Sequence, residues 1–158
     1  MSATATPTPA GNLVGNPGFE TNTSGWSPGS GNALDQVSGG HSGNFAARLT
    51  NTSGVTTGCT LNDSPNWVTS TVAGTYTGSL WVRADAAGAT LKLRFREYVG
   101  STNTGSLTTQ LTLTTGWQLI TLSYVPTSVG SSLDFNAYIS STPPGTCFYA
   151  DDAVITVS

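Results

Sequence analysis

Along most of this chain apolar residues recur at every second position, in short runs broken by Gly, Asn, Ser and Pro. That period puts alternate side chains on opposite faces of a β-strand. In 75–85, Tyr76, Leu80, Val82 and Ala84 alternate with Thr77, Ser79, Trp81, Arg83 and Asp85. In 89–98, Leu91, Leu93 and Phe95 alternate with Lys92, Arg94, Arg96 and Tyr98. In 133–140, Leu133, Phe135, Ala137 and Ile139 alternate with Asp134, Asn136 and Tyr138. The pattern predicts strands at 12–14, 33–37, 44–50, 58–62, 66–71, 75–85, 89–98, 106–113, 117–125, 133–140 and 147–157. Short strands at this spacing, separated by turn residues, indicate a sandwich or jelly roll. One face of each strand builds the core, and the other meets water or a ligand.

Composition agrees. Of 158 residues 65 are Thr, Ser or Gly, a mixture poor in helix formers and rich in β-branched and turn residues. A helical bundle and a Rossmann-type domain are excluded. Only 8 % of residues are charged, the net charge is −3, and five residues are basic. A nucleic-acid-binding surface needs clustered Lys and Arg and is not expected. No run reaches the roughly 18 apolar residues of a membrane helix. Residues 1–11 alternate Thr and Pro, a stiff spacer with nothing to bury, and 12–158 form the folded domain. The chain therefore reads as a segment of a larger exported protein, with Met1 an added start. Cys59 and Cys147 have no zinc-ligand spacing. They read as a disulfide of a secreted protein, with two buried thiols as the alternative.

Five stretches carry a resemblance. They are Asn12-Leu-Val-Gly-Asn-Pro-Gly-Phe-Glu20 with Trp26 following, His41-Ser-Gly-Asn-Phe-Ala-Ala-Arg-Leu49, Gly74-Thr-Tyr-Thr-Gly-Ser-Leu-Trp-Val-Arg83, Gly116-Trp-Gln-Leu-Ile-Thr-Leu122 and Phe148-Tyr-Ala-Asp-Asp-Ala-Val-Ile155. In this order they resemble the carbohydrate-binding modules of the family 4, 9, 16 and 22 group. The resemblance implies an all-β jelly roll that binds polysaccharide without cutting it. It also implies a structural calcium ion held by Glu20 and Asp151, with backbone of Gly18 and of the turn around Ser42 as further ligands. Whether Asp151 or Asp152 holds the metal stays open. Alternation puts Asp151 on the face of Tyr149, Ala153 and Ile155, and a buried carboxylate must be paired or metal-bound.

Sugar rings stack on aromatic faces while their hydroxyls bond polar side chains at the edges. On that chemistry Tyr98, Tyr138 and Trp67 are the candidate platforms, with Arg94, Arg96 and Asn136 beside them. Trp81 and Arg83, on the non-core face of their strand, are further candidates. Trp26, Trp117, Phe19, Phe95 and Tyr76 are assigned to the core or to closing the sandwich. A glycosidase needs two carboxylates across a cleft. Glu97 and Asp85 are the remaining acids on well-defined strands, and the sequence supplies no pocket to tune either. The leading reading is a monomeric ancillary module that binds β-glucan or xylan-type chains and targets a covalently linked glycan-degrading enzyme. The alternatives are a small jelly-roll lyase or glycosidase, or a calcium-stabilised adhesion module without a sugar site.

Overall fold

Alternation decides which side of each strand is dry. The computed structural model describes residues 11–158, so the predicted spacer at 1–11 lies, but for Gly11, outside the described residues. The strands are β1 (Trp26–Pro28), β2 (Asn32–Ser38), β3 (Phe45–Asn51), β4 (Thr57–Asp63), β5 (Tyr76–Arg83), β6 (Thr90–Val99), β7 (Thr102–Thr112), β8 (Gln118–Tyr124), β9 (Ser132–Thr142) and β10 (Gly145–Val157). They form two five-stranded sheets, ordered β1-β4-β9-β6-β7 and β2-β3-β10-β5-β8. Every adjacent pair is antiparallel. The two sheets make the sandwich that the periodicity predicts.

Leu91, Leu93, Phe95, Leu133, Phe135 and Ala137 from the first sheet are buried against Leu80, Val82, Phe148 and Ile155 from the second. Phe95 and Phe135 touch across β6 and β9 with ring centroids 5.0 Å apart. Gly78 is required where it stands, because a Cβ there would lie 2.6 Å from the Phe135 ring and 2.8 Å from Phe95. Cys59 of β4 and Cys147 of β10 form the disulfide, joining the two sheets across the core.

Three strand assignments differ from the sequence reading. Residues 12–14 form no ladder: Leu13 N–H donates to the Ile155 carbonyl at 2.8 Å, and the Asn12 side chain bridges Ala153 and Ile155. Leu13 itself is exposed, so its apolar side chain has no face to bury. Residues 66–71 contribute one isolated bridge, Val68 to Leu133, because Asp63 and the Pro65 turn pull the chain away from the sheet edge. Conversely β1 is too short for any period, and Pro28 ends it.

Candidate functional site

The outward faces of β4, β9, β6 and β7 form a polar stripe across the first sheet. Register sets its rows. Asn62, Asn136 and Arg94 lie side by side, and so do Thr60, Tyr138, Lys92 and Gln110. Arg94 Nε donates to Asn136 Oδ1 at 3.1 Å, and the guanidinium lies 4.6 Å from the Tyr138 ring centroid. Asn136 Nδ2 in turn donates to Asp134 Oδ2 at 3.0 Å and Asn62 Oδ1 at 3.3 Å. Arg96 pairs with Asp134 through both Nε and a terminal nitrogen, and stands 6.0 Å from the Tyr98 ring. Lys92 Nζ lies 5.9 Å from the Tyr138 ring centroid. A shallow depression lined by Thr90, Lys92, Gln110 and Ser140 adjoins that end.

The stripe thus brings together five of the sequence candidates, Tyr98, Tyr138, Arg94, Arg96 and Asn136. Arg94 and Arg96 are held by hydrogen bonds to Asn136 and Asp134, which lowers the entropy they lose when a ligand binds. Lys92, Asp134 and Asn62 belong to the same network and were missed as site residues. Strand register, which a single sequence does not display, is what places them there. Trp67, Trp81 and Arg83 lie elsewhere. The Trp67 ring packs against Gly15, Gly25 and Trp26, and its Nε1 is buried without a partner. Trp81 and Arg83 project from β5 on the second sheet, the opposite side of the sandwich. Trp117, expected in the core or closing the sandwich, stands half-exposed on that same side, because it precedes β8 where the sheet ends.

A second cluster of polar groups forms where the start of the described chain meets β10. Glu20 accepts the backbone N–H groups of Asn44 and Phe45 at 2.8 and 2.9 Å. Asp151 Oδ2 accepts those of His41 and Ser42 at 2.8 and 3.2 Å. Asp152 meets His41 Nδ1 at 2.7 Å and accepts Ser42 Oγ at 2.8 Å. A bulge in β10 after Asp151, with Asp152 at φ +49°, aims both acids at the turn instead of alternating them. A Cβ on Gly18 would lie within 4 Å of the Glu20 Cγ and of one carboxylate oxygen each of Asp151 and Asp152, so all three side chains pass close to that glycine. Burial, and then the Asp152 charge, push Asp151 up to about 7.

The family model of the carbohydrate binding domain CBM_4_9 matches residues 11–144. The chain belongs to this family. No curated protein shows a significant sequence match to the domain. Among solved structures it resembles a CBM61 module in complex with β-1,4-galactotriose, with TM-score 0.66 and 16 % identity over 93 % of this chain and 99 % of that one. It also resembles the CBM22-2 xylan-binding domain of Paenibacillus barcinonensis Xyn10C, with TM-score 0.64 and 20 % identity over 90 % and 98 %. A third similar structure is the CBM22-1 and GH10 modules of Clostridium thermocellum xylanase 10B with xylohexaose, at TM-score 0.69 and 18 % identity over 89 % and 28 %. The domain acts by binding, and the cleavage readings are not favoured.

Two further acids of the carbohydrate-binding domain are fully buried on the core side of the first sheet. Glu97 sits in a polar nest and not at an open strand end. Its Oε1 accepts Tyr124 OH, Thr127 N–H and Thr127 Oγ at 2.8–2.9 Å, and its Oε2 accepts Ser128 N–H and Ser131 Oγ. Burial raises its pKa, but the bonds from Ser131, Thr127 and Tyr124 outweigh burial and hold it at about 2. Tyr124 is pushed up to about 12 by burial and by that carboxylate. Asp63 accepts only two bonds, from the Phe135 and Trp67 N–H groups at 3.0 and 3.1 Å. Burial pushes it up to about 8 against those two bonds, with the neighbouring Asp134 adding to the rise. Asp85, by contrast, is exposed and meets only Tyr149 and Arg83. Neither it nor Glu97 lines a cleft with a second acid.

Proposed function

We propose that the stripe Tyr98, Arg96, Arg94, Asn136, Tyr138 and Lys92 binds a single polysaccharide chain of the β-glucan or xylan type. The observation that carries this reading is the Tyr138 ring flanked by Arg94 and Lys92, with Asn136 fixed beside it. An aromatic face takes the C–H face of a pyranose, and the guanidinium and ammonium groups take its hydroxyls, while the buried Asn136 amide, bonded to Arg94, Asn62 and Asp134, holds Arg94 in place. Arg94 bonds Asn136 through Nε alone, leaving its terminal nitrogens with donors for ligand. In a secreted parent protein the domain holds substrate near a covalently linked glycan-degrading enzyme, raising its effective concentration. A xylan-binding domain among the similar structures, and the GH10 module beside another, support this reading.

The test is affinity-gel retardation on β-glucan, xylan, mannan and galactan. Tyr138→Ala is expected to weaken binding by about tenfold to a hundredfold, the loss of one stacking platform of about 1–3 kcal/mol. Its melting temperature should hardly move. Phe95→Ala, on the dry face of the neighbouring strand, is expected to cost about 3–5 kcal/mol of stability through a core cavity. If Tyr138→Ala binds as the parent does, the stripe is not the site.

The turn at Glu20, Gly18, Ser42 and Asp151 fits a calcium ion in its chemistry, since every available donor is an oxygen. Among the described residues no three acid, His or Cys side chains are arranged to hold an ion by themselves. Carbonyls of Gly18 and of the 39–45 turn would therefore complete the ligand set, with Glu20 and Asp151 supplying charge. Such an ion would pin the start of the domain to its last strand and take no part in sugar contact. Saturation at a hundredfold over the dissociation constant stabilises by about 2.7 kcal/mol. EDTA is expected to lower the melting temperature and leave sugar affinity unchanged. An unmoved melting curve would remove the ion from this account.

A further inference from the structure

The outer face of the second sheet carries a second row of rings and guanidinium groups. Pairing aligns Asp35 with Arg48, Arg48 with Tyr149, and Tyr149 with Arg83 across β2, β3, β10 and β5. Val82 pairs with Gln118, so Trp117 stands next to Arg83 and completes the row. The Arg83 guanidinium lies 4.0 Å from the Tyr149 ring centroid and 5.5 Å from that of Trp117. Both rings are half-exposed. Elsewhere this face shows the small polar residues typical of the chain, Thr77, Ser79, Thr121 and Ser123. Five strand positions at roughly 4.8 Å spacing make the row about 19 Å long, room for a short oligosaccharide.

We propose that this row is a second glycan-contact surface, taking a neutral polysaccharide chain laid across the strands. The proposal rests on the reading of the domain as a glycan binder, but not on where its primary groove lies. Three features carry it. Arg83 makes no hydrogen bond among the described residues, and its nearest carboxylate, Asp85, is 4.0 Å away. Its donors are therefore unmatched while its plane is held between two rings. Each arginine of the row has a carboxylate beside it, Asp35 for Arg48 and Asp85 for Arg83. That sequence of donors and acceptors complements hydroxyls, which both give and accept, and shows no net sign that would select an ion. The Tyr149–Arg83 pair also repeats the chemistry of Tyr138–Arg94 on the other sheet. Trp81 is not a platform of this row, because His41 lies flat on its ring at 3.8 Å and takes that face.

The experiment titrates the intact chain with soluble mixed-linkage β-glucan and with xylan, in parallel with Trp117→Ala, Arg83→Gln and Tyr138→Ala, each checked by its melting curve. Binding to long chains is expected to weaken about tenfold in Trp117→Ala, through loss of one contact surface on a bivalent ligand. Arg83→Gln should weaken it too while leaving the rings in place. Tyr138→Ala should retain a residual site that the double variant Tyr138→Ala with Trp117→Ala loses. An isotherm abolished by Tyr138→Ala and untouched by Trp117→Ala and Arg83→Gln overturns the second surface alone. Loss in Trp117→Ala with none in Tyr138→Ala upholds it and overturns the groove. No binding by the intact chain to either polysaccharide overturns both.

Discussion

Glu97 and Asp63 are buried on the same side of the same sheet, one opposite Leu133 on β6 and the other beside Phe135 on β4. Both are dry, yet burial wins at one and loses at the other. Glu97 collects donors from Tyr124, Thr127, Ser128 and Ser131, and it stays ionised at about 2. Asp63 collects two backbone donors and faces another carboxylate, and it holds its proton up to about 8. Desolvation is common to both, so the donors each loop delivers decide the charge state. The loop after β8 was built around an anion. The turn after β4 holds an acid that keeps its proton to higher pH, beside the Asp134 that pairs with Arg96.

The sharpest way to break this contrast is to remove the anion. Glu97→Ala is expected to cost at least about 3 kcal/mol, because several buried donors lose their acceptor at about 1–3 kcal/mol each. Thermal or urea unfolding measures it, and a loss below about 1 kcal/mol would show that water replaces the carboxylate.

The pH profile should separate the two acids in sign. Glu97 is depressed in the fold, so its stabilisation is present above about 4.5 and is lost as pH falls toward about 2. The amount is about 3 kcal/mol for a shift of this size. Asp63 is raised in the fold, so its contribution is full below about 3.8 and is lost as pH rises toward about 8. That limb has a slope of at most about 1.4 kcal/mol per pH unit. The two limbs together place maximal stability near pH 4–5. Asp63→Asn should shrink the upper limb to the part that Asp151 contributes up to about 7 and spare the lower, and an upper limb unchanged by the substitution would disprove the protonated Asp63. Tyr124→Phe is the smallest change. It removes one of three donors to Glu97 Oε1 and is expected to cost about 1 kcal/mol, with the acid limb moved slightly upward.

Most of the fold was legible because the pleat is legible. In β5 and β6 every second residue is buried, as the run of Leu and Phe against Lys and Arg requires. The same alternation put Arg94, Arg96 and Tyr98 on the outer face and Asn136 and Tyr138 beside them. Pairing was not legible. Alternation put Lys92 and Asp134 on that face too, but only the register of β9 between β4 and β6 shows that they and Asn62 join one row of contacts. Trp117 was misread because a tryptophan next to an apolar strand looks like core, whereas its place beyond the last rung of β8 leaves it half in water. Glu97 shows the converse. Its position in the Leu91, Leu93, Phe95 series points inward, but its donors come about thirty residues later in a loop with no period to read.

The Cys59–Cys147 bond ties the sheet that carries the Tyr138 stripe to the sheet whose last strand holds Asn12 and Leu13. For a domain gripping a fixed polymer on one sheet, a pull applied through residue 12 enters on the other. The load would then shear the sandwich, and a dry apolar interface offers little directional resistance to sliding. The disulfide crosses that plane between β4 and β10, so tension passes through a covalent bond before the core must give way. Its 88-residue span makes it worth about 4.6 kcal/mol in loop entropy at rest. Under tension it sets how far the sheets can part, and so how long a tethered domain keeps its grip.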